Sequence, residues 1–140
     1  MPLLIQLSKD LLTPKGEGEV FSRVASAMLE VHGLAGNAFM TPNVIGHVMI
    51  SPEGTSYAGG KAQSLAVIEV KAPGMTFPNH DVQQDFVGRV TDIIDDLKAS
   101  DHPRSRTFVN VTHAQDGSWG IGGKAYTNAE LGQAIEKAAR

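Results

Sequence analysis

Pro2 is the residue whose position in this 140-residue chain most directly suggests chemistry. It follows Met1 and opens the apolar run Leu3-Leu4-Ile5-Gln6-Leu7. Methionine is normally trimmed when the next residue is small, and proline qualifies. Trimming leaves a secondary amine at the head of a strand, a base that needs no side chain. An α-amino group ordinarily titrates near ~8. Burial against apolar walls disfavours the ammonium form and lowers that value, toward the range where a general base works at neutral pH. Proline also suits the first residue of a strand for structural reasons alone, so position by itself supports both readings.

Other constellations carry less. Gly120-Ile121-Gly122-Gly123-Lys124-Ala125 satisfies the loose pattern G-x-G-x-x-[GA]. A dinucleotide site needs that turn inside a strand–turn–helix crossover, with an acidic residue about 20 positions on. Only 15 residues follow Ala125, and the turn is rejected as such a site. A phosphate loop fails as well, because Ser118 replaces its first glycine and Ala125 its Ser/Thr. His32, His47, His80, His102 and His113 show no metal-ligand spacing and are expected at the surface or at helix ends. Neither a metal nor a cofactor is expected. Cysteine is absent, which excludes thiol chemistry and disulfides. No Gly-x-Ser-x-Gly elbow supports a hydrolase.

The elements that position Pro2 follow from periodicity. Residues 2–8 read as a strand, apolar on both faces after Pro2, as for a strand buried within a sheet. Thr13-Pro14 is a helix start, with Val20, Phe21, Val24, Met28, Val31 and His32 at helical spacing until Gly33. Gly16 and Gly18 weaken the first turn, so the helix is expected to begin only near Glu17. Residues 43–50 and 64–71 read as strands, broken by Pro52-Glu53-Gly54 and Pro73-Gly74. Val82, Phe86, Val90, Ile93, Ile94 and Leu97 form the stripe of a second helix. Residues 107–113 are the last long strand. Thr127-Asn128-Ala129-Glu130 is a capping box opening a short C-terminal helix with Leu131 and Ile135 inward.

The chain also repeats itself at a spacing of 63 residues. Glu53–Ala62 aligns without gaps on Asp116–Ala125, with five of ten positions identical, including Gly-Gly-Lys-Ala in both. Two such units, about 2–63 and 65–126, suggest a duplicated strand–helix–strand within a single domain spanning 1–140. Right-handed crossovers then give a four-stranded α/β sheet covered by two helices on one face. The opposite face is left bare, and a bare sheet face asks for a partner. A net charge of -3 offers no footprint for nucleic acid. No stretch approaches ~18 uninterrupted apolar residues, so no membrane span is expected. No secretory signal is visible; a cytoplasmic location is the expectation.

Met1-Pro2 before an apolar strand, together with Trp119-Gly120-Ile121-Gly122-Gly123, resembles the 4-oxalocrotonate tautomerase family. The tandem repeat is similar to its fused, trimeric branch, which includes malonate semialdehyde decarboxylase, cis-3-chloroacrylic acid dehalogenase and macrophage migration inhibitory factor. The resemblance implies the tautomerase (β-α-β)2 fold, with sheet faces packed in a homotrimer. It implies that Pro2, freed of Met1, is the catalytic amine for a small carbonyl-acid substrate. Trp119 matches an aromatic wall, Phe108 a substrate-contacting position and Asn110 a pocket amide. Lys71 is the one cation near the expected site and could ground an enolate or carboxylate.

The chain departs from that pattern at the clamping arginines. Leu12, Ile45, Met75 and Phe108 occupy the matching positions. A smaller, more apolar or singly charged keto compound is therefore expected rather than a dicarboxylate. Tautomerisation leads; a decarboxylase or hydratase could use the same amine, and a catalytically silent trimer acting as a binding or structural protein is the alternative.

Overall fold

The computed structural model describes residues 1–139. The elements run β1 (Pro2–Ser8), α1 (Pro14–Val31), β2 (Ile45–Ser51), β3 (Tyr57–Ala58), β4 (Lys61–Ala62), β5 (Ala66–Ala72), α2 (His80–Leu97), β6 (Thr107–His113), β7 (Trp119–Ile121), β8 (Lys124–Tyr126) and α3 (Asn128–Ala138). Four strands form one sheet in the order β2-β1-β5-β6. β1 is parallel to β2 and β5 to β6, while β1 and β5 pair antiparallel at the centre. The two strand–helix–strand units thus meet head to tail. One unit's strand start lies beside the other's strand end, and this sets Pro2 level with the end of β5.

β1 alternates instead of being buried on both faces. Leu3, Ile5 and Leu7 are buried under the helices, whereas Leu4 is half-buried and Gln6 exposed on the opposite face. A central strand of a sheet covered on one side obeys the period-two rule even when its sequence is almost wholly apolar. The buried face of β5 is Ala66, Ile68, Val70 and Ala72. Against these two strands pack Val20, Val24 and Met28 of α1 with Phe86, Val90 and Ile94 of α2, and together they make the core. The uncovered face keeps Ile45, Met49 and Phe108 at 56%, 41% and 44% exposure.

α1 starts at Pro14, a turn earlier than its glycines suggest. Thr13 caps it, accepting from the Gly16 N–H at 2.9 Å. Gly16 is buried, and a Cβ there would meet the Leu97 carbonyl oxygen at 2.9 Å. The glycine admits the end of α2, so packing overrides its poor helix propensity. The strand edges shift slightly: β2 begins at Ile45 after a 3-10 turn over Thr41–Asn43, and β5 occupies Ala66–Ala72. α3 has the full capping box, with Leu131 buried and Ile135 packed against the core. No helix among the described residues is long and apolar enough to cross a membrane.

The repeated Gly-Gly-Lys-Ala has a geometric cause. Gly59-Gly60 (φ +59°, +77°) and Gly122-Gly123 (φ +57°, +86°) turn the hairpins β3–β4 and β7–β8. Two consecutive positive φ angles are what a tight type I′ hairpin turn needs, and glycine supplies them without strain. Strand leads to strand at both turns, which removes the dinucleotide reading of Gly120–Ala125 on structural grounds.

Candidate active site

Pro2 stands at the first position of β1, paired with Ile45 of β2. A cavity of about 570 Å³ opens at this end of the sheet and is lined by Pro2, Ile45, Lys71, Thr112, His113 and Trp119, among others. Two of these arrive by register. β5 and β6 are parallel, so Lys71 pairs with Thr112, and both project on the uncovered face with Pro2. The β7–β8 hairpin closes the outer side with Trp119, half-buried and packed against the core cluster. The walls are mainly apolar. Lys71 makes no ion pair among the described residues.

A second hollow of about 320 Å³ adjoins the first on the uncovered face. It shares Pro2, Lys71 and Thr112 and adds Leu4, Glu69 and Asn110. The fold therefore brings Pro2, Lys71, Trp119 and Asn110 into two connected depressions. Phe108 is not with them. It pairs with Val67, four residues back along β6 from Thr112, and sits exposed on the open face.

Met1 is part of the site's construction. Its side chain is 2% exposed, and its amine donates to the Asn43 carbonyl. Burial pushes this ammonium down to about 6, from an ordinary value of 8.0. An amine at this end of β1 is thus held in a dry setting that favours the neutral, basic form. While Met1 is attached, the Pro2 nitrogen is a tertiary amide and cannot accept a proton.

The other half has no equivalent. Leu65 lies 63 residues from Pro2, but the chain continues through it. Its N–H donates to Ser8 Oγ at 2.8 Å, and Ser8 Oγ donates to Ser56 Oγ at 3.0 Å, so that corner is closed by hydroxyls.

Thr112, His113, Ser118 and Asn43 also line the cavity, and local sequence does not single them out. The one available signal is the parallel register of residues 64–71 and 107–113, which places Thr112 beside Lys71. The expectation for the histidines is corrected at His102, which is 3% exposed and bonded through Nε2 to Thr107 Oγ1 at 2.9 Å. His32 does cap a helix end, where its Nδ1 meets the Met28 carbonyl at 2.8 Å. Among the described residues no group of three or more His, Cys, Asp or Glu could hold a metal ion.

No protein-family model matches this sequence, and no characterised sequence is significantly similar to it. Solved structures do match. The symmetric trimer of a fused 4-OT superposes with TM-score 0.74 at 11% identity, covering 94% of this chain and 99% of the other. A malonate semialdehyde decarboxylase inhibited by 3-bromopropiolate gives 0.66 at 15% identity, covering 87% and 89%. A macrophage migration inhibitory factor-like protein from Entamoeba histolytica gives 0.67 at 19% identity, covering 89% and 97%. The chain has the tautomerase fold common to these structures, covering 89–99% of each.

Proposed function

We propose that this protein is a proline-dependent keto–enol tautomerase acting on small, singly charged carbonyl acids, and that it works as a homotrimer. The observation that carries the reading is the amine environment at the head of β1. A terminal nitrogen there lies on an apolar cavity, with its ammonium form disfavoured by burial. Moving Met1 out of the way hands that environment to the Pro2 nitrogen. Pro2 then takes a proton from the carbon next to a carbonyl and returns it elsewhere. Lys71 is the cation that would hold the carboxylate or the developing enolate oxygen. Trp119 walls the substrate and Asn110 offers an amide from the adjoining hollow. A single lysine where two arginines would grip a dicarboxylate favours one carboxylate and an apolar remainder.

The trimer is supported by the uncovered sheet face and by the trimeric assemblies among the similar structures. It gives Phe108 a role despite its distance from Pro2 within the chain. On a face packed against a neighbour, Phe108 belongs to the apolar boundary of that neighbour's site.

The test is ketonisation of phenylenolpyruvate by protein of measured N-terminal mass. Trimmed protein should catalyse it, and Pro2→Ala, also with a free terminus, should be slower by about 10²–10⁴-fold. Equal rates refute Pro2 as the base. A second reading has its own observation: Met1 is buried and its amine tethered to Asn43. A native protein that keeps Met1 and shows no turnover is the silent, binding-only trimer. Carbon dioxide release or hydration in a panel of keto acids and haloacrylates would instead identify a lyase using the same amine.

A further inference from the structure

We propose that Glu69 sets the substrate class of this site. Its carboxylate closes the smaller hollow to a second anion and reserves it for a neutral group that donates a hydrogen bond, an inference that rests on the reading of Pro2 and Lys71 given above. The sheet register builds the arrangement. On β5, Ile68, Val70 and Ala72 are buried beneath the helices, which turns Glu69 and Lys71 to the uncovered face. β1 runs antiparallel beside them. Leu4 pairs with Glu69 and Leu3 with Val70, and one step further the same ladder sets Pro2 against Lys71. On the other flank Asn110 pairs with Glu69 and Thr112 with Lys71. Two rows result: Pro2, Lys71 and Thr112 in one, Leu4, Glu69 and Asn110 in the next. All six line the hollow of about 320 Å³.

The polar groups of this hollow are left without partners. Lys71 and Glu69 stand two residues apart on one strand, about 7 Å along it. They make no ion pair with each other or with any other described residue. Glu69 and Asn110 enter no side-chain hydrogen bond among the described residues, whereas Thr112 Oγ1 donates to the Val70 carbonyl at 3.4 Å. Carboxylates on the helix surfaces are treated differently: Glu30, Asp85, Asp92, Asp95 and Asp96 each meet an arginine. What the hollow holds is an acceptor and an amide side by side, with a cation one row away. Lys71 and Glu69 are the only charged side chains that line it.

With the substrate's carboxylate on Lys71, a second carboxylate has two places to go. In the larger cavity it meets Ile45, Trp119 and Ile121, apolar walls against which an unpaired charge is costly. In the smaller hollow the Asn110 amide would donate to it, but Glu69 on the neighbouring strand repels it. A hydroxyl fits where the carboxylate does not. It donates to Glu69, which only accepts, and accepts in turn from the Asn110 amide. The substrate class that follows is a carbonyl monocarboxylate whose far end carries a hydroxyl, and dicarboxylates are turned away by charge.

The experiment measures binding of three six-carbon acids that carry no carbonyl to react: hexanoate, 6-hydroxyhexanoate and adipate. Dissociation constants come from NMR titration of trimmed wild-type protein, Glu69→Gln and Lys71→Gln. The wild type should bind 6-hydroxyhexanoate most tightly and adipate least. Glu69→Gln should shift the ratio of adipate to hexanoate affinity by about 10–100-fold in favour of adipate, and should shrink the advantage of the hydroxyl. Lys71→Gln should weaken all three. A ratio moved less than about threefold by Glu69→Gln overturns the inference, as does a wild-type protein that binds none of the three. Unchanged binding in Lys71→Gln removes the anchor and the inference with it. Should Glu69→Gln fail to fold, the wild-type order decides: adipate bound as tightly as 6-hydroxyhexanoate sinks the idea. None of these measurements needs turnover. Equal ketonisation rates in Pro2→Ala and the wild type would therefore refute Pro2 as the base while leaving the affinity ratio to be judged by itself.

Discussion

His32 uses both ring nitrogens at once, Nδ1 against the Met28 carbonyl and Nε2 accepting the Phe77 N–H. Only the neutral ring can do this. Burial lowers its affinity for a proton, outweighing the Met28 bond, which raises it. Burial lowers His102 in the same sense. A histidine whose folded value lies below the unfolded ~6.5 stabilises fully above that pH and loses its contribution as pH falls through it. Urea midpoints should therefore fall from about pH 8 downward, where the buried terminal amine (8.0 lowered to about 6) begins to favour the unfolded chain, and fall more steeply below ~6.5 as the histidines join. His32→Gln should be less stable at pH 8 and fall less steeply below ~6.5, and an unchanged acid slope would show that His32 is not part of it. At this scale local motifs pointed to Pro2 and Trp119, and the fold sets both on the wall of one cavity. Thr112 and His113 were hidden, because their places in the cavity lining come from the register of β6 on β5. That register leaves no mark in local sequence.

The elements were legible where periodicity is strong, as in α2 and β6. They blurred where packing contradicts propensity, and Gly16 and Gly18 make the point measurable. Nothing lies within 4 Å of the place a Cβ on Gly18 would take, while Gly16 would set a Cβ 2.9 Å from Leu97 backbone and 3.1 Å from its Cβ. Gly18→Ala should stabilise by about 0.5–1 kcal/mol through helix propensity. Gly16→Ala gains the same propensity but forces α1 from α2, for a net loss of about 1–2 kcal/mol. Chemical denaturation of the two proteins checks the sign. If both changes stabilise, the helices do not approach as closely as described. The paired hairpins teach the complementary lesson. An identical Gly-Gly-Lys-Ala in each half was visible as a repeat, yet only the positive φ angles show that it encodes a turn.

For the whole molecule, the uncovered sheet face decides what the protein is in solution. Ile45, Met49 and Phe108 project from it with no cover within the chain. An assembly that buries them should come apart when a charge is placed among them, since an unpaired carboxylate is costly to desolvate. Phe108→Asp should elute as a monomer with unchanged helical circular dichroism, against the trimer proposed for the parent chain, with light scattering measuring both. A Phe108→Asp protein that remains trimeric would move the interface elsewhere. Two crossovers and a repeat implied a four-stranded sheet under two helices, so that much of the architecture was readable, whereas the strand order and the antiparallel β1–β5 pairing were not. The site was readable only to the extent that it is local.

The burial of Met1 also sets a schedule. A peptidase must grip a flexible, extended terminus, but in the finished fold this side chain is inside and its amine is tied to Asn43. Removal therefore belongs to the ribosome exit, before β2 arrives to close over the first strand. Under the proposed reading of Pro2, whether a given molecule carries a free nitrogen there is decided by a race between an enzyme and the folding of its substrate.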